Sequence, residues 1–534
     1  KEKLLRCLVA SDIPIPSGFG RISTYLSRYL FSRGLDVRGA GFFYNGDPHG
    51  HPFHIWPLAG QDIWQKLTQI INTGTGDGWT PDLVISIQDF PYHVSLGRDC
   101  PIDWSHKRWI FITPIDGMPV YKEWEVVSKL AEGRMVISRF GVEAMRQQGV
   151  QVDLCHPGVD TTEFFPATAE EKVQLRHQAG IPPGAWMVGM FCMNQGRKAI
   201  PHQMQAFMEF ARDKPNAVFY LDMEEISPAG WNIPLLAEAM GLSTTKLLLK
   251  KHLAPRLPNL RDRYAVLDVH GVLAYREGFG LPLLESMACG LPTFAQDWCS
   301  GTEVVGDGKG YLVPILKDER GQPVMQYGTW GNAKDAIPDT EALVAILNQI
   351  YYDPVQAVAT AKRGYDWAIA QTWENMGRQV ENVIVRIFGP SALRRGAPIV
   401  VGGGPDLQPH VAGNKPDAEV PGVAHGDQRP GDVGDSDLGR REPRVEPAGV
   451  VRPTDQSHVE PQPNVTLGVC PELQPRGEGG YGRVVVLPEL GHGGAAGVAR
   501  GDAGGDGPIP DGDTRTKVVV PRKRTKNTER GGPL

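Results

Sequence analysis

The chain has 534 residues, 41% of them hydrophobic and 22% charged, with a formal net charge of −6. That length suits two or three domains of ordinary size. The acidic balance argues against a global nucleic-acid footprint, and no apolar run reaches the roughly 20 residues that a membrane-crossing helix needs.

The chain opens at KEKLLRCLVAS with no initiator Met, as a trimmed sequence would. It shows no secretory n-region, h-region and cleavage site. The seven cysteines (Cys7, Cys100, Cys155, Cys192, Cys289, Cys299 and Cys470) form neither C-x-x-C nor any zinc spacing. Most adjoin apolar residues, which implies reduced, buried thiols and a cytoplasmic location.

In chain order, RCLVAS (6–11) reads as a buried strand and RISTYLSRYLFSRG (21–34) as a helix. The loop between them, SDIPIPSGFGR (11–21), holds Gly18 and Gly20. Ligands of open α/β sheets gather at the carboxyl ends of strands, where glycines let backbone amides approach phosphate or sugar. Both glycines are therefore candidate ligand-loop residues, and an ordinary tight turn is the alternative. The loop is not a dinucleotide fingerprint, because Ser23 stands where the third glycine belongs. That argues against a nicotinamide-dependent dehydrogenase.

Further short apolar runs follow at LVISIQ (83–88) and RWIFIT (108–113). HPGVDTTEFFP (156–166) reads as a domain boundary, since a Pro-Gly turn closes one run and a proline ends the next. WMVGMFC (186–192) precedes a helical HQMQAFMEFARD (202–213), and AVFYLDM (217–223) precedes a helical IPLLAEAMG (233–241). Continuous β runs alternating with amphipathic helices imply parallel sheets covered on both faces. Roughly 370 such residues exceed one core, so two α/β domains are expected.

After strand 186–192 comes MNQGRKAIPHQ (193–203), with Arg197 and Lys198 between strand and helix. Two cations there suit a diphosphate, Arg as a planar fork and Lys as a point charge. A solvated loop is the alternative. Asn194 either reaches the ligand, orients the loop or caps. VLDVHGVL (266–273) leads into REGFGLPLLESMACGLP (276–292). There Pro282 suits a first helical turn and Gly290 a C-terminal cap. Glu277 lies before the helix and Glu285 in its first turns, where the helix dipole favours carboxylates. Gly278 and Gly280 leave amides open. A carboxylate is a strong bidentate acceptor, so a sugar diol is its natural partner.

Beyond Phe388, Tyr481 is the one aromatic residue, and glycine and proline make up roughly a third of the stretch, as in disordered sequence. Residues 389–534 are therefore expected to be a disordered tail. Its basic end, PRKRTKNTER, leaves a peripheral membrane or RNA contact open. An out-of-frame translation without function is the third possibility.

The run EGFGLPLLESMACGLP resembles the E-x7-E signature of retaining glycosyltransferases with the GT-B fold, and is most similar to family 4. GFGR, HPGVDTTEFFP and NQGRK support the resemblance in the right order across roughly 1–388. It implies two Rossmann-like domains facing a cleft. Residues 1–160 would form the acceptor domain and 161–365 the nucleotide-sugar donor domain. Residues 366–388 would form a helix crossing back. The implied reaction moves a hexosyl group from a nucleotide-diphosphate sugar to an acceptor hydroxyl, with retention, without metal or cofactor, and with no nucleic-acid partner. The resemblance assigns Glu285 to the donor ribose and Glu277 to the donor hexose. Amides of Gly278, Phe279 and Gly280, with Leu281, would hold sugar hydroxyls and β-phosphate. Arg197 and Lys198 would stabilise the leaving diphosphate, Gly18 and Gly20 would line the cleft, and Asn194 would lie on the donor side. His93 and Asp116 are the acceptor-side candidates. Tyr275-Arg276 departs from the family's Pro-Ser, so Arg276 either adds a phosphate contact or faces solvent. A nucleotide-sugar epimerase, a sugar-phosphate synthase or phosphorylase, and a non-catalytic binding subunit are the rival readings.

Overall fold

The computed structural model describes residues 4–393, except 61, 75, 121–122 and 329–332. Seven parallel strands form the first sheet: β1 (Arg6–Ser11), β2 (Asp36–Phe42), β3 (Ile55–Leu58), β4 (Leu83–Ile87), β5 (Arg108–Thr113), β6 (Gly133–Val136) and β7 (Asp153–Leu154). Their order is β3-β2-β1-β4-β5-β6-β7. Six more parallel strands form the second sheet: β8 (Trp186–Phe191), β9 (Ala217–Asp222), β10 (Leu247–Leu249), β11 (Val269–Val272), β12 (Thr293–Gln296) and β13 (Tyr311–Val313). These run in the order β10-β9-β8-β11-β12-β13. Each sheet reverses its winding beside its first strand, at β1/β4 and β8/β11, which opens a crevice at the carboxyl ends. An antiparallel hairpin, β14 (Met325–Tyr327) and β15 (Lys334–Ala336), extends from the second sheet's end.

Local chemistry sets the element boundaries. Ser17 starts the helix Gly18–Ser32 by accepting a 2.9 Å hydrogen bond from the Gly20 amide, three residues before the expected start. Within VLDVHGVL (266–273) only β11 is a strand, because Val266 caps the helix Leu260–Ala265 and the Leu267 amide turns back to donate to the Tyr264 carbonyl at 3.0 Å. In β2 (DVRGAGF) the glycines give room for close packing. A Cβ on Gly41 would lie 2.1 Å from the Ile13 carbonyl oxygen.

Two chain passes join the halves and run side by side. Gly158 has no space for a side chain against the Trp373 amide, 2.2 Å from its would-be Cβ. The Val159 amide donates to the Gln371 carbonyl at 2.8 Å. From there the helix Trp373–Phe388 packs on the first domain. Trp373 stacks on Tyr25 with ring centroids 4.6 Å apart. Glu381 accepts from the Tyr29 hydroxyl at 2.6 Å and from both prongs of Arg33 at 2.8 and 2.9 Å.

The helix ends at Gly389 (φ 83°), and a short turn, Pro390–Ala392, places Leu393 against the core. The tail expected from residue 389 therefore begins too early: Leu393 still has apolar surface to bury. Residues 394–534, which hold Cys470 and the basic end, lie outside the described residues. Cys7, Cys100, Cys155, Cys289 and Cys299 are free and buried, and Cys192 is free and half-buried. Among the described residues no helix is long and apolar enough to cross a membrane.

Candidate active site

The loops after β8 and β11 are zipped together at the second sheet's switch point. Lys198 and Ala274 form an antiparallel bridge. The Ala199 amide donates to the Leu273 carbonyl at 3.1 Å, and the Tyr275 amide donates to the Arg197 carbonyl at 2.9 Å. This zipper sets Arg197 and Lys198 beside Glu277. The Lys198 ammonium ion-pairs with Glu277 Oε2, and Arg197 Nη1 lies 3.7 Å from the same oxygen. Arg197 Nη1 also donates to the Arg276 carbonyl at 2.9 Å. Burial works to raise the Glu277 pKa, but Lys198, Arg197 and the Phe279 amide overcome it and bring it down to about 2. Burial likewise opposes the Arg197 charge, yet Glu277, Asp116 and Asp89 together raise its pKa.

The helix Leu281–Ala288 begins at Gly280, whose φ of 91° favours glycine. Gly278 lies against the first domain, since a Cβ there would meet the Pro114 side chain at 2.5 Å. Phe279 is buried, its ring edge-on to His156 at 4.7 Å, so its side chain fixes the domain junction. Leu281 and Gly18 approach each other from opposite walls: a Cβ on Gly18 would lie 3.9 Å from Leu281 Cδ1. Glu285 is buried and ion-paired with Arg21 of the first domain, and it accepts from the Tyr264 hydroxyl at 3.0 Å. Arg21 stands in the first turn of the helix Gly18–Ser32 and was not among the residues singled out from the sequence. Its signal was its place, one residue past Gly20 at the end of the expected ligand loop.

Several expected site residues sit elsewhere. Gly20 does not line the cleft. It is buried, and a side chain there would collide with the Ile15 carbonyl at 1.7 Å, so the turn itself needs it. Asn194 turns away from the cleft and pins the segment 224–232. Its amide donates to the Glu224 and Trp231 carbonyls at 3.0 and 2.7 Å and accepts from the Trp231 amide at 2.8 Å. His93 is fully buried between sheet and helix. It bonds to Ser86 at 2.9 Å and the Gln88 carbonyl at 3.0 Å, and packs on Phe111. Burial lowers its pKa to about 4, as expected of a neutral core imidazole.

Asp116 does reach the cleft, 3.8 Å from Arg276 Nη1. Arg276 itself neither faces solvent nor stands free for phosphate. It is 5% exposed, and its Nε lies 2.5 Å from Asp335 of β15. That pair fastens the hairpin to the donor wall, and the Lys334 amide, which donates to the Met118 carbonyl at 2.8 Å, ties the hairpin to the first domain. Besides Arg21, a second cleft residue hidden from the sequence is Asp89. It follows β4 at the switch point and keeps its side chain exposed. Protein walls around it push its pKa up to about 6, with Arg197 pulling down and Asp116 and Asp12 adding to the rise. Among the described residues no three His, Cys, Asp or Glu side chains gather as a metal site.

Residues 238–320 match the family described as Glycosyl transferases group 1. The D-inositol 3-phosphate glycosyltransferase of Stackebrandtia nassauensis is 29% identical over 205 residues, 37% of this chain and 43% of that protein. Its namesake in Corynebacterium urealyticum is 27% identical over 230 residues, 42% of this chain and 48% of that protein. The chain thus spans less than half the length of these curated relatives. Among solved structures, the sucrose-phosphate synthase of Thermosynechococcus elongatus superposes with a TM-score of 0.55 at 18% identity, over 72% of this chain and 99% of its own. Anabaena HepE, in complex with UDP and glucose, does so with a TM-score of 0.53 at 14% identity, over 72% and 100%. At such identities these likenesses establish the fold, the two Rossmann-like domains of GT-B glycosyltransferases.

Proposed function

The chain belongs, through residues 238–320, to the glycosyl transferases group 1 family, and from that premise we propose that it transfers a hexosyl group from a nucleotide-diphosphate sugar to an acceptor hydroxyl with retention of configuration. The observation that carries this reading is the Arg197–Lys198–Glu277 cluster at the switch point of the second sheet. The likeness to HepE, whose structure holds UDP and glucose, supports a nucleotide-sugar donor.

In this reading Glu285 takes the ribose diol. An ionised carboxylate has about four lone-pair sites, so the Arg21 and Tyr264 contacts leave it capacity. Glu277 accepts from a hexose hydroxyl and holds Lys198 in place. The bond between the anomeric carbon and the donor phosphate oxygen breaks, and its electron pair leaves with the nucleotide diphosphate. The acceptor oxygen bonds to the same face, and its proton passes to the departing phosphate oxygen. Arg197 and Lys198 supply the positive charge that the leaving group needs, so the reaction draws on preorganised electrostatics and positioning.

A thermal-shift panel of UDP-, GDP- and ADP-sugars on the full chain tests the donor. One nucleotide should raise Tm in proportion to ln(1 + [L]/Kd). No shift with any of them removes the main support.

A further inference from the structure

The loops after β1, β4 and β5 each bring an aspartate to the first domain's wall: Asp12, Asp89 and Asp116. Among the described residues of these three loops, 12–17, 88–89, 114–120 and 123, there is no Lys or Arg, and Lys122 of the third loop lies outside the described residues. The three acids differ in what they have left to offer. Asp12 is buried and committed, accepting from the Ser17 hydroxyl at 2.6 Å and from the Gln88 amide. Among the described residues the Asp116 carboxylate has one distant ion-pair partner, Arg276 at 3.8 Å. Asp89 is exposed in the cleft and does not cap the helix it precedes. Among the described residues no hydrogen bond or ion pair engages its carboxylate. On the opposite wall Lys198 is held by Glu277 and Arg276 by Asp335. Arg197, which feels Asp89 and Asp116 together, marks where the diphosphate site meets this acidic wall.

Resting on the transferase reading above, we propose that Asp89, seconded by Asp116, receives the acceptor hydroxyl and selects an acceptor that carries no phosphate, either a neutral polyol or an amino sugar. A free carboxylate at the carboxyl end of β4 can accept a hydrogen bond from an incoming hydroxyl and orient it toward the donor. The same carboxylate repels a phosphate monoester, and like charges juxtaposed in an interface are strongly disfavoured. With its pKa near 6, Asp89 is ionised at pH 7.5 and serves as that acceptor. The preference is opposite to the phosphorylated acceptor in the name of the curated relatives.

The test follows nucleotide diphosphate release by the full chain from the donor the panel identifies. Release without acceptor, by slow hydrolysis, reports on the transferase reading alone, and its absence with every nucleotide-sugar counts against that reading. Acceptor-stimulated release is then compared for glucose, glucosamine and glucose 6-phosphate, and for myo-inositol and its 3-phosphate. The wild-type chain should favour the unphosphorylated member of each pair in kcat/KM by about tenfold or more. Asp89→Asn should shrink that ratio several-fold, and Asp116→Asn should shrink it less. A merely structural role would change both members alike. Donor hydrolysis with a preference for the phosphate ester, with no stimulation by any unphosphorylated acceptor, or with a ratio unmoved by Asp89→Asn overturns the proposal.

Discussion

At the scale of single residues, the centre of the site is a carboxylate between two cations. Glu277 is walled in, and Lys198 and Arg197 hold it ionised down to about pH 2. A depressed carboxyl stabilises the fold above its ordinary pKa and loses that contribution as pH falls through the folded value. Denaturant midpoints should therefore be insensitive to this cluster from pH 7 to about pH 5. They should fall below roughly 4.5, where the unfolded carboxyl takes up its proton. Glu277→Gln should remove that part of the fall, and an identical acid profile in the variant contradicts the assignment. Glu285 offers a second check. Glu285→Gln keeps the shape but weakens acceptance from a diol, so calorimetry should show the nucleotide diphosphate Kd raised about tenfold, the scale of one hydrogen bond to a charged group. An unchanged Kd would remove Glu285 from the nucleotide site. Legibility at this scale was uneven. Glu277 and Glu285 stood out because glycines flank one and an apolar helix surrounds the other. Arg276 did not disclose its partner, because Asp335 arrives on a distant hairpin. In QDFPYHV the histidine drew attention as the chemically richer side chain, yet its apolar neighbours fold it into the core and leave Asp89 in the cleft.

At the scale of elements, the buried strands with unbroken apolar runs were readable: RCLVAS and RWIFIT each form a strand as written, and WMVGMFC does so as far as Phe191. β2 was not, since Arg38, Gly39 and Gly41 interrupt its pattern, and the glycines matter only when β3 and Ile13 pack against them. β10, β12 and β13 are three or four residues long, too short for periodicity to show. The returning helix Trp373–Phe388 carries a sharper prediction. Gly377 faces the Tyr29 ring, and a Cβ there would lie 2.4 Å from it. Overpacking of this kind costs about 1–3 kcal/mol, so Gly377→Ala should lower stability by that amount in urea unfolding. A neutral result would mean that the helix does not clamp the first domain as tightly as the contacts indicate.

At the scale of the whole molecule, two sheets with the same winding present their switch points to one cleft, and several contacts cross it. Arg21 meets Glu285, Pro114 meets Gly278, Asp116 meets Arg276, and Leu281 approaches Gly18. The repeated β–α alternation made two α/β domains legible in the sequence. Which side chains would meet across the cleft was not, because each pair joins residues far apart in the chain and depends on the relative placement of both sheets. The central claim is that the cationic pair at the second switch point drives departure of a nucleotide diphosphate. Its most direct test is nucleotide diphosphate release from a panel of nucleotide-sugars by the wild-type full chain and by Lys198→Ala. One donor should turn over in the wild type and lose on the order of 10²-fold in kcat in the variant, the scale for removing one oxyanion donor. Release from no donor, or equal release by both proteins, would contradict the account.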